Sequence, residues 1–263
     1  RRQHASWSSD RYRHYVENIV SRLAIHYGNN PTVIGWQIDN EPGHYGVVDY
    51  SENAQAKFRI WLQKKYGTID KLNDTWGASF WSETYQNFEQ VRLPNQQEVP
   101  DKANPHAMLD LNRFMADELA GFVNMQADIL RRHIHKDQWI TTNLIPIFNP
   151  VDPVRIDHPD FLTYTRYLVT GHNQGIGSQG FRMGIPEDLG FSNDQFRNRV
   201  GKAFGVMELQ PGQVNWGVYN PQPLPGAIRM WVYHVFAGGG KFVCNYRFRQ
   251  PLKGSEQYHY GMI

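Results

Sequence analysis

GWQIDNEPG, residues 35–43, decides the fold. A run of apolar and aromatic residues leads directly into Asp39, Asn40 and Glu41. A strand built for stability alone stops in turn residues such as Gly, Asn or Pro. Here the turn signal, Pro42-Gly43, comes only after the acids. The order predicts a strand whose C-terminal end carries chemistry. The near-continuous apolar run from Thr32 to Ile38 predicts burial on both faces, as in a parallel sheet.

The rest of the chain repeats that alternation. Ser9 and Asp10 offer an N-cap, Tyr15, Val16, Ile19, Val20, Leu23, Ala24 and Tyr27 recur at helical spacing, and Gly28 supplies the stop. A helix is expected from Glu52 to Tyr66, ending at Gly67. Residues 68–106 read as a long, irregular, aromatic-bearing excursion that includes WGASFW at 76–81. A long helix follows over Met108 to His133, with strands at Trp139–Ile145 and near Phe161–Tyr167. A helix is expected at Asp194–Val200, then a strand at Ala203–Leu209. A further helix has Pro225 at its first position and runs to Gly238, and Lys241–Phe248 is the last strand. Such alternation without an internal linker or repeat is α/β with a parallel sheet. Five strands with an insertion of this length fit a partial (β/α)8 TIM barrel. The competing architecture is an open doubly wound sheet, against which stands the lack of a Gly-rich phosphate loop between a strand and a helix. The expected domain is one N-terminally truncated catalytic barrel over residues 1–263, with its insertion at about 68–106.

Composition narrows the function. A formal net charge of +2 gives no electrostatic case for nucleic acid or an anionic membrane surface. No apolar run approaches the roughly 20 residues that span a bilayer. The single cysteine, Cys244, excludes an internal disulfide and any Cys-rich zinc site. One unpaired thiol fits a reducing compartment, so the cytoplasm is favoured; the start at Arg1-Arg2-Gln3-His4 keeps any signal peptide out of view. An aromatic fraction of 14% fits either a large aromatic core or a carbohydrate cleft where sugar faces stack on rings.

Two carboxylates stand apart. Glu41 and Glu208 each close an apolar strand at its C-terminal end, which in a barrel is the face that holds active sites. Either alone reads equally well as a cap on the next helix. Together they match what a glycosidase requires: one carboxyl protonates the leaving oxygen, and the other attacks or activates water.

WQIDNE at 36–41 and MELQPGQVNW at 207–216 resemble the two signature regions of family 42 glycoside hydrolases, β-galactosidases of the large retaining (β/α)8 clan. TTN at 141–143, YNPQPLPG at 219–226, RFRQP at 247–251 and EQYHYG at 256–261 extend the resemblance over essentially the whole chain. It implies that barrel strands four to eight are present and strands one to three are missing. It also implies an exo-acting retaining enzyme that releases terminal β-D-galactose by double displacement, with no cofactor and no metal. Glu41 resembles the general acid/base and Glu208 the nucleophile, carboxyls that a retaining enzyme holds about 5 to 5.5 Å apart. Glu41 then needs a raised pKa, from burial and the neighbouring charge.

By the same resemblance Asn40 donates to the sugar C2 hydroxyl, Arg2 contacts the sugar, and Trp216 stacks on it. Trp81 resembles a stacking residue contributed to a neighbouring subunit, which implies a homotrimer for the full-length protein. Glu256 and His259 resemble the pair that reads the sugar hydroxyls, and Tyr246 and Tyr167 match aromatics of the eighth and sixth strands. FLTYTRYLVTG departs from the family around Tyr167, where Arg166 stands. EPGHYG, without cysteine, lacks the zinc site of some relatives. The partner is a β-galactoside oligosaccharide or glycoside. Related alternatives are an α-L-arabinopyranosidase or β-D-fucosidase; a different class is a catalytically silent carbohydrate-binding barrel. A barrel lacking three strands has two unpaired edges, so the chain alone is expected to be poorly soluble or inactive.

Overall fold

The computed structural model describes residues 5–44, 48–95, 103–146, 151–171, 180–199 and 203–263. The chain packs as two compact units. The first takes in Arg1–Pro31, Tyr45–Lys136 and Phe148–Ile156; the second takes in Thr32–His44, Asp137–Ile147 and Asp157–Ile263.

The first unit is helical. α1 (Asp10–Tyr27) is capped by the Ser9 side chain, and α2 (Glu52–Tyr66) by Ser51. α3 (Ile69–Trp76) and α4 (Pro105–Arg131) complete it. α3 lies in the segment read from sequence as irregular, and is a correction to that reading. It is short, but well delimited: Thr68 caps its start, and Gly77 ends it in the left-handed conformation. Asn73 then ties down the following loop, donating to the Tyr85 carbonyl at 2.7 Å and accepting from its N–H at 3.0 Å. Phe58, Leu62, Leu72, Trp76, Leu111 and Phe114 form the core of the unit. Asp110 is buried within it and accepts from the Tyr66 hydroxyl at 2.6 Å, from Trp76 Nε1 at 3.1 Å and from Lys65. α1 meets α4 through Tyr12, stacked on Phe122 at 5.6 Å, and through Arg13, paired with Glu118. Of its expected apolar stripe only Ala24 is buried; Tyr15, Ile19 and Leu23 are exposed, because α4 takes the neighbouring face.

The second unit holds the described strands. β1 (Gly35–Gln37) pairs in parallel with β2 (Trp139–Thr141). β3 (Asn143–Leu144), β4 (Leu162–Arg166), β5 (Phe204–Leu209) and β6 (Val243–Asn245) follow in that order, all parallel. Only Thr142 separates β2 from β3, and its carbonyl accepts from Thr163 N at 3.0 Å. The five expected strands therefore lie side by side in chain order. Parallel neighbours require crossover connections, and two of these are α5 (Pro186–Arg199) and α6 (Ala227–Ala237). α5 covers β4, where Tyr164 packs on Phe196 at 5.0 Å and donates to Asn193 at 2.6 Å. α5 begins eight residues before the expected Asp194. α6 begins at Ala227 behind Gly226, so Pro225 precedes the cap rather than opening the helix. At the N-terminal ends of the strands Trp139, Phe161 and Phe242 cluster at 5.5 to 6.3 Å. Gly35 makes room for that cluster, since a Cβ there would lie 2.0 Å from the Trp139 ring.

Among the described residues no helix is long and apolar enough to cross a membrane, and no group of three metal-binding side chains is formed.

Candidate active site

The second unit brings Asn40, Glu41, Tyr167, Glu208, Tyr246, Glu256 and His259 toward the C-terminal ends of its strands. The path from β1 to Glu41 is not an extended one. Asp39 and Glu41 both have positive φ, 55° and 46°. Such a conformation costs a non-glycine residue on the order of 1–3 kcal/mol and persists only where surrounding contacts enforce it. Asp39 Oδ1 accepts from Asn40 N at 2.9 Å, and Asn143 Oδ1 accepts from Glu41 N at 3.3 Å. Glu41 is buried, and His44 Nδ1 lies 3.8 Å from its carboxylate.

Glu208 reaches the same cluster through an irregularity in β5. Tyr164 pairs with Val206, but Thr165 pairs with Glu208, so Met207 is an extra residue at that point. Strict alternation puts Glu208 on the face of Val206 and Tyr164, the face covered by α5. The bulge transfers it to the face of Thr165 instead. Asn143 pairs with Thr163, two residues before Thr165, and so shares that face. Glu208 then accepts from the Tyr167 hydroxyl at 2.9 Å and from Asn143 Nδ2 at 3.4 Å. Gln210 locks the two segments together: its amide accepts from Val169 N at 2.8 Å and donates to Val169 O at 2.9 Å. Burial pushes the Tyr167 phenol far above its ordinary pKa, reinforced by the Glu208 charge and, more weakly, by Glu41. The phenol stays protonated and remains a donor.

An aromatic wall adjoins Glu208. Tyr167 meets Trp216 edge-on at 4.9 Å and His259 at 5.6 Å, and Tyr246 meets His259 at 5.5 Å. Trp216 is 42% exposed. His259 is buried, and among the described residues neither ring nitrogen has a hydrogen-bond partner of normal geometry. Burial lowers its pKa below 6.5, against the pull of the Glu256 charge, and the imidazole is neutral at neutral pH. Arg247 pairs with Glu256, which also accepts from the Tyr246 hydroxyl at 3.2 Å. Burial, then the Glu256 charge, raises the Tyr246 phenol as well.

One described residue expected in the site, Trp81, is not in this cluster. Arg2 lies outside the described residues. Trp81 belongs to the first unit, is 65% exposed with a φ of 54°, and packs on Phe80 at 4.8 Å. Arg166, the departure noted in the sixth-strand motif, pairs with Asp188 of α5 at 2.9 Å. Asn143 was not singled out from sequence, although TTN at 141–143 contains it. A lone Asn in a strand looks like a turn residue, and only its neighbours across the sheet reveal its position.

A parallel α/β sheet with two carboxylates, one buried and one half-buried, at strand ends beside an aromatic wall is an arrangement suited to carbohydrate chemistry. The comparisons name the family. The family 42 glycoside hydrolase model, described as beta-galactosidase, matches residues 1–263. The chain is 36% identical over 267 residues to the beta-galactosidase Bga of Halorubrum lacusprofundi, covering 99% of this chain and 38% of that protein. It is 37% identical over 269 residues to the beta-galactosidase BgaA of a Thermus species, covering 99% and 41%. The structure matches the crystal structure of beta-galactosidase from the psychrophilic Marinomonas ef1 with a TM-score of 0.92 and 34% identity, covering 99% of this chain and 40% of that one. The chain belongs to glycoside hydrolase family 42. It spans about two fifths of the length of these relatives, and is a partial α/β fold of their barrel architecture.

Proposed function

We propose that this chain carries both catalytic carboxylates of a retaining exo-β-galactosidase. The observation that carries the reading is the shared amide of Asn143, which holds the peptide of Glu41 and touches the carboxylate of Glu208. In this reading the five runs of strand are the fourth to eighth of a (β/α)8 barrel, and residues 1–263 belong to one catalytic domain with an insertion at about 68–106.

Glu208 is the nucleophile. Two donors favour its charged form, and the bulge in β5 aims it. Glu41 is the acid/base, buried and within electrostatic reach of the same cluster. In the first step the Glu41 carboxyl gives its proton to the glycosidic oxygen as the bond from that oxygen to C1 breaks. A Glu208 oxygen bonds to C1, and the aglycone leaves as an alcohol. Esterification neutralises Glu208, which lowers the proton affinity of Glu41. Glu41 then takes a proton from water while the water oxygen bonds to C1, and the bond from Glu208 to C1 breaks. Two inversions release galactose with retained configuration.

The neighbouring residues supply recognition. Trp216, partly exposed beside Tyr167, is the ring proposed to stack on a sugar face. Neutral His259 offers one donor and one acceptor, neither engaged in good geometry by the described residues, and Glu256 is held in place by Arg247 and Tyr246. A site built around hydroxyl groups rejects an analogue that lacks one, because its own polar atoms are left unpaired. Arg2 is proposed to contact the sugar, and Trp81 to complete a neighbouring subunit's site in a homotrimer.

Hydrolysis of an aryl β-D-galactoside tests the reading, using the longest polypeptide that carries residues 1–263. Turnover that exceeds that on the matching α-L-arabinopyranoside and β-D-fucoside, and that collapses in Glu208→Ala, supports it. A folded protein that binds galactose without turnover contradicts it and favours a carbohydrate-binding role.

A further inference from the structure

We infer that Asn143 is a positioning residue that sets the polarity of the whole catalytic cluster, an inference that rests on the proposed roles of Glu41 and Glu208. Asn143 opens β3, is fully buried, and uses both ends of its amide. Its oxygen accepts from Glu41 N at 3.3 Å and from Gln37 Nε2 at 2.7 Å. Its nitrogen donates to Thr165 Oγ1 at 2.8 Å, Asn40 Oδ1 at 3.1 Å and Glu208 Oε1 at 3.4 Å.

One backbone group fixes the direction of these bonds. A peptide N–H only donates, so the end of the Asn143 amide that faces Glu41 N is the oxygen. The opposite end is then the NH2 group, and every atom it meets must accept. An ionised Glu208 satisfies that requirement, and so does the Thr165 hydroxyl. Asn40 satisfies it only by turning its oxygen inward. The Gln37 side chain approaches that same oxygen at 3.5 Å. The NH2 group of Asn40 is thereby left as the end that serves a ligand. A chain of donors and acceptors runs from the Glu41 peptide through Asn143 to Asn40 and Glu208, and each link admits one orientation.

Three consequences follow. The left-handed backbone of Glu41 is held by an acceptor from the neighbouring strand, which fixes where its carboxyl points. Glu208 has a donor that favours its charged form and restricts its rotation. Asn40 presents a donor rather than an acceptor toward the sugar. The NH2 group has two hydrogens for three acceptors, and the longest of the three contacts is the one to Glu208. That contact is the one free to shorten or lengthen as charge on Glu208 changes through the reaction.

The near-isosteric Asn143→Asp separates this role from simple packing. It keeps the acceptor for Glu41 N–H but replaces the donor end by a negative oxygen. Asn143→Ala removes both ends. Both are compared with the unmutated protein for thermal midpoint, kcat, KM, the pH profile of kcat/KM, and the ratio of kcat/KM for an aryl β-D-galactoside over its C2-deoxy analogue. Asn143→Asp is expected to lower the thermal midpoint, since its new oxygen is buried and faces acceptors, so its kinetics are read at a temperature where thermal unfolding shows it folded. Its kcat is expected to fall about 100-fold, the scale of a misplaced reacting group, while KM changes little. Its acid limb moves to higher pH, because a negative neighbour disfavours ionised Glu208. Its preference for the C2 hydroxyl falls about tenfold, since Asn40 now turns its NH2 group inward. A folded Asn143→Asp with unchanged kcat, acid limb and hydroxyl preference overturns the inference, whatever becomes of Asn143→Ala. An unmutated protein without turnover overturns the proposed function itself, and this inference with it.

Discussion

Replacing Tyr167 by Phe deletes one oxygen and leaves the ring. The hydroxyl donates to Glu208 Oε2 at 2.9 Å, and a hydrogen bond to a charged group contributes about 1.5–3 kcal/mol. At about 1.4 kcal/mol per tenfold, the full value corresponds to roughly 10- to 150-fold in kcat/KM. Two opposing effects act on Glu208 once the donor is gone. The carboxylate becomes more basic, which favours attack, but it is less restrained and more readily protonated. Among the described donors to Glu208 the Tyr167 hydroxyl is closer than Asn143, 2.9 against 3.4 Å, so loss of position outweighs the gain in basicity. We expect a fall of about 10- to 50-fold, in the lower part of that range. The ring contacts with Trp216 and His259 need no hydroxyl, so KM should change little. Because burial and the Glu208 charge hold the phenol protonated far beyond its ordinary pKa, Tyr167 contributes no alkaline limb to the unmutated profile. The acid limb moves to higher pH in Tyr167→Phe, because Glu208 has lost a donor that favours its charged form. Steady-state rates on an aryl β-D-galactoside across both limbs provide the test. Activity within about twofold of the unmutated protein, with an unmoved acid limb, refutes the reasoning.

His259→Phe should separate function from stability. It removes two buried nitrogens that have no hydrogen-bond partner of normal geometry among the described residues, and deleting poorly satisfied polar atoms while keeping a ring is neutral or stabilising. Thermal unfolding should be unchanged or raised while kcat/KM on the galactoside falls; a lower midpoint with intact activity contradicts this. Because burial keeps that imidazole neutral, acidification should weaken sugar binding as the ring gains its proton, and affinity independent of pH through the acid range argues against the assignment. In the first unit, Asp110→Ala leaves the Tyr66 hydroxyl and Trp76 Nε1 without their acceptor and Lys65 without its counter-charge. Removing one partner of a buried pair costs about 3–5 kcal/mol, and Lys65 is 30% exposed and can rehydrate, which puts the expected loss near the lower figure. Chemical denaturation measures it, and a loss under about 1 kcal/mol would contradict the buried-pair account. Burial alone raises the Asp110 pKa, but the hydrogen bonds from Lys65, Tyr66 and Trp76 outweigh it and hold the group below 3.8. Its stabilising contribution is therefore complete above pH 3.8 and is lost as pH falls through the lower folded value. Acid unfolding that is identical in Asp110→Ala would speak against that sign.

The parallel α/β class was legible because each strand is a compact apolar run between turn residues, and the five expected runs contain the six described strands. Long helices were legible where caps and spacing agreed, as at Ser9 and Gly28. α3 was hidden because its eight residues make little more than two turns and carry only three apolar positions, Ile69, Leu72 and Trp76, which is shorter than the window a periodicity needs. α5 was found late because its first turns bury Leu189, Ser192 and Asn193, and buried Ser and Asn do not signal a core face. In the candidate site, Glu41 and Glu208 stood out as acids at the ends of apolar strands. Two features that place them did not. The bulge at Met207 is a pairing irregularity, visible only against Thr165 of the neighbouring strand. Asn143 matters because its strand run lies between β1 and β4, within reach of both, and sheet order is not written in any local pattern.

The assignment of the two carboxylates is tested most directly by rescue with azide. Glu208→Ala and Glu41→Ala, in the longest polypeptide that carries residues 1–263, are each given an activated aryl β-D-galactoside and sodium azide, and the anomeric configuration of the product is read by NMR. In Glu208→Ala azide takes the place of the nucleophile and attacks once, so the account predicts α-galactosyl azide. In Glu41→Ala the galactosyl-enzyme on Glu208 still forms and azide opens it, so the account predicts β-galactosyl azide. The same product from both variants, or rescue of neither while the unmutated protein turns over, would contradict the pairing of Glu208 as nucleophile with Glu41 as acid/base.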